Sequence, residues 1–124
     1  KTYKGEFHQK DKYKILSQFR FCLCFENSLN TGYISEKIVE CFKGRCVPVY
    51  WGAPNITDFI SDKCFIDFRK FKNYSELFKF LKNIDERIHN TYLKNIEEFL
   101  SSKKFLERWT SEAFARTFLE IVIL

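Results

Sequence analysis

The sequence predicts an α/β fold, a parallel sheet with flanking helices. Three short apolar runs, at 20–25, 46–51 and 64–68, alternate with segments whose apolar residues recur at helical spacing. A continuous apolar run such as RFCLCF is typical of a strand that is covered on both faces. Strands and helices in alternation indicate right-handed crossovers, and the arrangement is therefore Rossmann-like.

The predicted elements follow one another without an internal domain boundary. In chain order they are helix 11–19, strand 20–25, helix 35–44, strand 46–51, a turn with a short helix at 52–60, strand 64–68, and helices 74–84, 90–100 and 111–124. Three strands are fewer than a doubly wound domain normally carries. We therefore expect that the N-terminal strands of this domain are missing.

Local signals justify the ends of several elements. Ser35 is expected to be the N-cap of the helix at 35–44, and Gly44 lies near its C′ position. The polar loop at 26–33, ENSLNTGY, carries the Asn and Gly residues that favour turns. Pro48 has no backbone N–H to donate, which predicts an irregular or edge position for the second strand.

Composition limits the classes of protein. Of the 124 residues, 45% are hydrophobic and 19% are aromatic, a globular composition for one domain or part of one. The chain contains no Met and begins without an apolar signal segment, so we expect a fragment of a longer protein. The net charge of +5 comes from lysines spread along the chain. This spread predicts solvated faces and no nucleic-acid partner.

The cysteines are odd in number and lack C-x-x-C spacing, and both histidines, His8 and His89, lie far from them in sequence. We predict buried free thiols, no zinc site and a reducing compartment. His89 is expected to be a surface residue. The five cysteines are Cys22, Cys24, Cys41, Cys46 and Cys64.

Lys37 lies in the first turn of the helix at 35–44, where the helix dipole disfavours a cation. The helix follows the carboxyl end of a strand, which is where α/β sheets bind ligands. An anionic ligand such as a phosphate would reverse the local field and favour the lysine. The alternative is a surface lysine paired with Glu40 or Asp58.

Other polar residues of this region have two interpretations each. Glu26 and Asn27 follow the strand and could contact a ligand or form loop-capping hydrogen bonds. Tyr33 could stack on a base or sugar, or pack at the helix entry. Glu36 could accept hydrogen bonds from ribose or sugar hydroxyls, or be an ordinary first-turn carboxylate. No glycine-rich phosphate motif is present in the sequence, which disfavours a dehydrogenase or a P-loop enzyme.

Two stretches carry a family resemblance. FENSLNTGYISEKIVECF at 25–42 and VPVYWGAPNI at 47–56 resemble the donor-binding signature of the α1,3-fucosyltransferases, in its bacterial form. The resemblance extends over roughly residues 12–100, with order and spacing preserved. It implies the C-terminal half of a GT-B glycosyltransferase.

The resemblance implies inverting transfer of fucose from GDP-fucose to a hydroxyl of GlcNAc or Glc in a glycan, in α1,3 or α1,4 linkage. Residues 1–124 would be a partial Rossmann-like donor-binding domain. The N-terminal acceptor domain and its general base would be absent, so this fragment would be inactive alone. The alternative is a non-catalytic nucleotide-sugar or glycan-binding remnant of the same fold.

The resemblance also implies roles for individual residues. Lys37 would lie on the diphosphate, and Glu36 near the ribose or the fucose ring, so these two are the catalytic candidates. The GDP-fucose-binding candidates are Asn27, Tyr33, Glu36 and Lys37, with Glu26, Ser28 and Ser35 as weaker ones.

The expected partners follow from the same resemblance. No cofactor or metal is expected to be required, although Mn²⁺ could stimulate the full enzyme. The acceptor would be a LacNAc-type glycan or a lipopolysaccharide O-antigen. The full-length protein is expected in the cytoplasm or peripherally on the inner face of a bacterial membrane, or in the Golgi lumen if its source is eukaryotic.

Overall fold

A three-stranded parallel sheet organises the chain. The structure is a computed structural model that describes residues 9–109, with side chains from residue 11. Strands β1 (Phe21–Phe25), β2 (Val47–Trp51) and β3 (Ile66–Asp67) lie in the order β1-β2-β3. The predicted parallel sheet is confirmed.

The described part of the chain also contains five α-helices and three 3₁₀ helices. The α-helices are α1 (Gln9–Leu16), α2 (Lys37–Lys43), α3 (Tyr74–Lys82), α4 (Glu86–Leu100) and α5 (Lys103–Trp109). The 3₁₀ helices span Ile56–Asp58, Asp62–Cys64 and Phe68–Lys70.

The core lies between the sheet and the helices α2 and α4. Helix α2 buries Ile38, Val39, Cys41 and Phe42. The Phe42 ring meets Phe99 of α4 edge-on, with ring centroids 5.7 Å apart. Strand β2 is buried over Val47 to Tyr50, as a strand covered on both faces should be. For β1 that prediction is wrong, because Leu23 is 56% exposed beside the buried Cys24.

Pro48 lies on the central strand of the sheet, so its predicted edge position is wrong. Val47 N–H donates to Arg20 O, and Trp51 O accepts from Glu26 N–H. Odd-numbered residues of β2 therefore bond toward β1, and Pro48 faces the β3 side. There the ladder begins only at the Val49–Ile66 pair. The backbone N–H that Pro48 lacks would therefore point to the side of β2 where β3 is not yet paired, so no hydrogen bond of the sheet is lost.

Several helix ends differ from the predicted ones. Helix α4 begins at Glu86, because the Asp85 side chain caps it by accepting the Ile88 N–H at 2.8 Å. Helix α1 ends at Leu16, three residues before the predicted end. Helix α5 was not predicted, since its seven residues carry little periodicity. The predicted helix at 111–124 lies outside the described residues.

His89 is half-buried rather than a surface residue. Its Nε2 atom lies 3.0 Å from Arg20 O, and its ring meets Phe21 edge-on at 5.5 Å. The sequence placed it in a charged helical stretch, and only the packing of α4 against the start of β1 reveals the contact. Within residues 9–109, no helix is long and apolar enough to cross a membrane.

The cysteines are thiols, four of them buried and Cys22 half-buried. Hydrogen bonds from the Cys41 and Cys46 thiols lower the pKa of Cys22. The contact with Cys22, together with burial, raises the pKa of both Cys41 and Cys46. Thiolate character and exposure govern thiol reactivity, so Cys22 should be the most reactive of these thiols.

We expect all five cysteines to be alkylated after denaturation without reductant, and Cys22 to be alkylated first in the native protein. Burial raises the pKa of Cys64 to about 11, which makes it a suitable slow reference. Timed iodoacetamide labelling followed by peptide mass spectrometry measures both rates. A disulfide-linked peptide pair, or equal native rates for Cys22 and Cys64, would contradict this expectation.

Candidate functional site

The candidate site lies at the carboxyl ends of β1 and β2. These ends are level, since Phe25 pairs with Trp51 and Glu26 N–H donates to Trp51 O at 2.8 Å. Glu26 then turns its side chain inward and is only 6% exposed. Its carboxylate accepts the Ser35 N–H at 2.7 Å and the Tyr50 hydroxyl at 3.2 Å. The Ser35 hydroxyl donates to its second oxygen.

Tyr50 and Gly52 complete this buried group. Burial raises the pKa of Tyr50, and the nearby Glu26 carboxylate raises it further. The Tyr50 hydroxyl accepts the Ala53 N–H at 3.2 Å. A Cβ atom at Gly52 would lie 2.4 Å from Glu26 Cγ and 2.5 Å from the Tyr50 hydroxyl oxygen. A side chain at position 52 would therefore force Glu26 or Tyr50 to move.

The polar loop is tied to the segment that follows β2. Gly32 N–H donates to Asn55 Oδ1 at 2.6 Å, and the Gly32 φ of 77° is a backbone conformation that glycine adopts readily. Tyr33 N–H donates to Asn30 O at 3.1 Å, and Asn30 N–H donates to the Ser28 hydroxyl oxygen at 3.3 Å. Ser28, a weaker binding candidate, thus stabilises the turn.

The start of α2 differs by one residue from the prediction. The N-cap is Glu36, whose carbonyl accepts the Glu40 N–H at 2.9 Å and whose side chain forms no cap hydrogen bond. Ser35 still satisfies one free donor, because its hydroxyl oxygen accepts the Lys37 N–H at 3.3 Å. The first helical hydrogen bond starts at the Glu36 carbonyl, which makes Glu36 the formal cap although its backbone is already helical. Gly44 is the C-cap, at φ −80°, and Arg45 takes the left-handed conformation at φ 55°.

Lys37 directs its charge back to the end of β1. Its ammonium lies 3.2 Å from Phe25 O and 3.4 Å from Asn27 Oδ1. Glu40, one of the two pairing partners of the surface alternative, instead forms an ion pair with Lys12, and the ion pairs of the described residues include none between Lys37 and the other partner, Asp58. The structure thus brings Asn27 and Lys37 together at the edge where α/β sheets bind ligands.

Tyr33 and Glu36 are exposed, Tyr33 by 44%. Glu36 lines a cavity of about 630 Å³ together with Phe59 and with several residues of α5, among them Arg108. Lys37 lines a different cavity, of about 320 Å³, between α1, β1 and α2. The structure therefore places the two catalytic candidates at separate cavities on either side of the start of α2.

Arg69 is a second cation at this edge that sequence reasoning missed. Its guanidinium donates to Gly52 O, and its own N–H donates to Asp67 Oδ1 at 2.9 Å. The available signal was its place directly after the third strand, where parallel sheets expose their ligand-binding ends. Among the described residues, no cluster of three or more His, Cys, Asp or Glu side chains could hold a metal ion.

The parallel sheet and the polar groups at its carboxyl edge place the chain in the Rossmann-like class of α/β domains. A family model described as glycosyltransferase family 10 (fucosyltransferase), C-terminal part, matches residues 1–116, and the chain belongs to this family. The match extends beyond the roughly 12–100 that the sequence motifs indicated. The predicted family is confirmed.

Individual relatives agree with the family. The chain is 35% identical over 92 residues to the alpha-(1,3)-fucosyltransferase FucT of Helicobacter pylori, covering 74% of this chain and 19% of that protein. It is 36% identical over 85 residues to the human GDP-fucose protein O-fucosyltransferase 3, covering 66% of this chain and 18% of that protein. The chain therefore spans about a fifth of the length of these curated relatives.

Solved structures match as well. An alpha1,3-fucosyltransferase crystallised with GDP-fucose superimposes with a TM-score of 0.61 at 29% identity, covering 82% of this chain and 36% of that one. A further alpha1,3-fucosyltransferase structure matches with a TM-score of 0.55 at 35% identity, over 69% of this chain and 24% of that one. The predicted fold, the C-terminal half of a GT-B glycosyltransferase, is confirmed.

Proposed function

We propose that residues 1–124 form the partial Rossmann-like donor-binding domain of a transferase that moves fucose from GDP-fucose to a hydroxyl of GlcNAc or Glc in a glycan. The linkage is α1,3 or α1,4, and the anomeric centre is inverted. One observation carries the proposal. In a chain of the fucosyltransferase family, the Lys37 ammonium lies beside Asn27 at the carboxyl end of β1.

The chemistry of glycosyl transfer suits this placement. The transition state resembles an oxocarbenium ion, and the departing nucleotide gains negative charge on its diphosphate. A fixed cation stabilises that charge more in the transition state than in the ground state. Lys37 supplies the cation. Because α2 has only seven residues, we assign this role to the ammonium rather than to the helix end.

The remaining candidates take roles consistent with their exposure. Glu36 and Tyr33 are exposed, and they bind the ribose or the fucose ring from solvent-accessible positions. Asn27 is exposed and presents its amide to the diphosphate beside Lys37. The general base belongs to an acceptor domain outside this chain, so the chain alone binds donor without turning it over.

The proposal extends to the complete protein. The acceptor is a LacNAc-type glycan or a lipopolysaccharide O-antigen, and the O-fucosyltransferase relative makes a protein hydroxyl the second candidate acceptor. The complete protein acts in the cytoplasm or peripherally at the inner face of a bacterial membrane, or in the Golgi lumen in a eukaryote. A gene without an upstream acceptor domain and carboxylate base would favour the non-catalytic remnant instead.

We expect GDP to bind this chain at least about tenfold more tightly than UDP or ADP, the difference that one base-specific hydrogen bond supplies. Calorimetric titration with GDP, GDP-fucose, UDP and ADP measures the ratio. Repeating it in EDTA tests the proposed independence from metal. Equal affinity for the three nucleotides would remove the guanine-specific assignment.

Two further arms of the same titration separate the alternatives. Loss of GDP binding in EDTA, restored by Mn²⁺, would contradict metal-free binding. Binding of a random RNA oligonucleotide that falls steeply with salt, and that GDP does not displace, would instead indicate a nucleic-acid surface.

A further inference from the structure

Glu26 joins three segments of the described chain: the end of β1, the start of α2 and the end of β2. Its backbone N–H donates to Trp51 O at 2.8 Å, so the last rung of the sheet fixes its main chain. Its side chain is 6% exposed. Burial of a carboxylate is costly unless the group is well hydrogen-bonded, so its partners define its role.

Ser35 occupies both carboxylate oxygens of Glu26. The Ser35 N–H donates to Oε2 at 2.7 Å, and the Ser35 hydroxyl donates to Oε1. The Tyr50 hydroxyl adds a third bond, to Oε2 at 3.2 Å. All three donors are uncharged. Because Ser35 follows Glu26 by nine residues, these bonds close the polar loop 27–34 onto the end of the strand.

A continuous set of contacts leads from this carboxylate to the Lys37 ammonium. The Ser35 hydroxyl oxygen accepts the Lys37 N–H at 3.3 Å. The Lys37 side chain then returns to the residues on either side of Glu26, with Phe25 O at 3.2 Å and Asn27 Oδ1 at 3.4 Å. The position of the ammonium therefore depends on where Glu26 holds Ser35.

We propose that Glu26 is a positioning residue for the donor diphosphate. It does not touch the ligand; it holds Ser35, and through Ser35 it sets the place of Lys37. This role differs from the ligand contact that the sequence suggested for Glu26, and it rests on the proposed function. Tyr50 contributes by fixing Oε2, which Gly52 allows because it has no side chain.

A double-mutant cycle tests the positioning role. GDP affinity is measured by ¹H–¹⁵N chemical-shift titration, which reaches millimolar Kd, for Glu26→Gln in the wild-type and Lys37→Ala backgrounds. We expect Glu26→Gln to weaken GDP binding about tenfold in the wild-type chain, the effect of one charged-group hydrogen bond. In the Lys37→Ala background its effect should fall below about twofold, because two residues that act through one contact are not additive.

The same spectra supply controls. Glu97→Gln removes an exposed carboxylate that pairs with Arg45, and it should leave GDP affinity unchanged. If Glu26→Gln does not fold, Ser35→Ala and Tyr50→Phe each remove one of the three hydrogen bonds to the Glu26 carboxylate. Each variant should weaken GDP binding two- to fivefold, which corresponds to part or all of one uncharged hydrogen bond of about 1 kcal/mol. Tyr92→Phe is the control for Tyr50→Phe.

The outcomes separate the two proposals. An equal factor for Glu26→Gln in both backgrounds would make Glu26 a support of the fold alone and overturn the positioning role. Unchanged GDP affinity in every Glu26, Ser35 and Tyr50 variant would overturn it as well. If the single variant Lys37→Ala leaves GDP affinity unchanged, Lys37 does not bind the diphosphate, and the proposed function of the site is contradicted whatever the Glu26 variants show.

Discussion

Lys37→Ala should weaken GDP binding by about 1.5–3 kcal/mol, the range for a charge-assisted contact. In Kd this is roughly 10- to 150-fold. The reason is that the Lys37 ammonium has three N–H donors and, among the described residues, lies near two acceptors, Phe25 O at 3.2 Å and Asn27 Oδ1 at 3.4 Å, so it can also donate to a diphosphate oxygen. Calorimetric titration with GDP measures the loss.

The stability of the empty protein should fall by only about 0.5–1.2 kcal/mol. Losing the bond from the charged ammonium to Phe25 O costs about 1.5 kcal/mol, the lower end of the range for a charged donor, because the contact is 3.2 Å long. Removing a cation from the first helical turn returns about 0.3–1 kcal/mol, so the two effects partly cancel. The helix dipole alone, which is all that the sequence shows, predicts an unchanged or slightly more stable variant, because the sequence does not show the bond to Phe25 O. Thermal melts without GDP measure the difference.

Two variants control for charge and geometry. Lys43→Ala removes an exposed lysine from the last turn of the same helix and should leave GDP affinity unchanged. Lys37→Arg keeps the charge but changes the donor geometry, so it should restore binding only in part. The assignment is falsified if Lys37→Ala destabilises the empty protein while GDP affinity stays unchanged. In the complete enzyme the loss should fall more on kcat than on KM for the donor, because the leaving-group charge grows in the transition state.

Gly52→Ala should destabilise the protein by about 1–3 kcal/mol, the usual cost of overpacking a buried site. A Cβ atom there would lie 2.4 Å from Glu26 Cγ, 2.5 Å from the Tyr50 hydroxyl oxygen and 2.8 Å from Tyr50 Cζ. Neither neighbour is the free end of a surface side chain, since both are buried and hydrogen-bonded. A fall in Tm of roughly 4–12 °C is expected in a thermal melt.

Two comparisons identify the cause of that loss. Tyr50→Phe removes one of the clashing atoms, so the double variant should be less destabilised than the sum of the single variants. Gly32→Ala has open space around its Cβ but a φ of 77°, so it should cost only the roughly 1–2 kcal/mol of left-handed strain. Strict additivity of Gly52→Ala and Tyr50→Phe would show that the clash does not involve the hydroxyl.

Local pattern was enough to predict the order of the three strands and of helices α1 to α4. The apolar runs at β1 and β2 and the polar loop between β1 and α2 carry their own periodicity, and the structure confirms the parallel sheet that they imply. The motifs around the loop also predicted the family, which the family model confirms over residues 1–116. These features depend on neighbours in sequence, so the sequence contains them directly.

The ends of elements were harder to predict because capping is a matter of one hydrogen bond. Residue type favours Ser35 as the cap of α2, but the first helical hydrogen bond starts one residue later, at the Glu36 carbonyl. Asp85 caps α4 just before a first turn that is rich in charged residues and has little apolar periodicity. The predicted start of this helix was therefore four residues late, at 90 instead of 86.

The sequence by itself determined the α/β order, the family and the position of the polar loop at a strand end. Only the tertiary structure decided what each polar side chain in that loop does. It buried Glu26 under Ser35 and Tyr50, and it directed Lys37 to Asn27. It also placed Pro48 on the central strand, at a point where β3 is not yet paired. The physical reason is that periodicity records whether a residue is buried, whereas a hydrogen-bond partner distant in sequence is selected only when the strands and helices pack together.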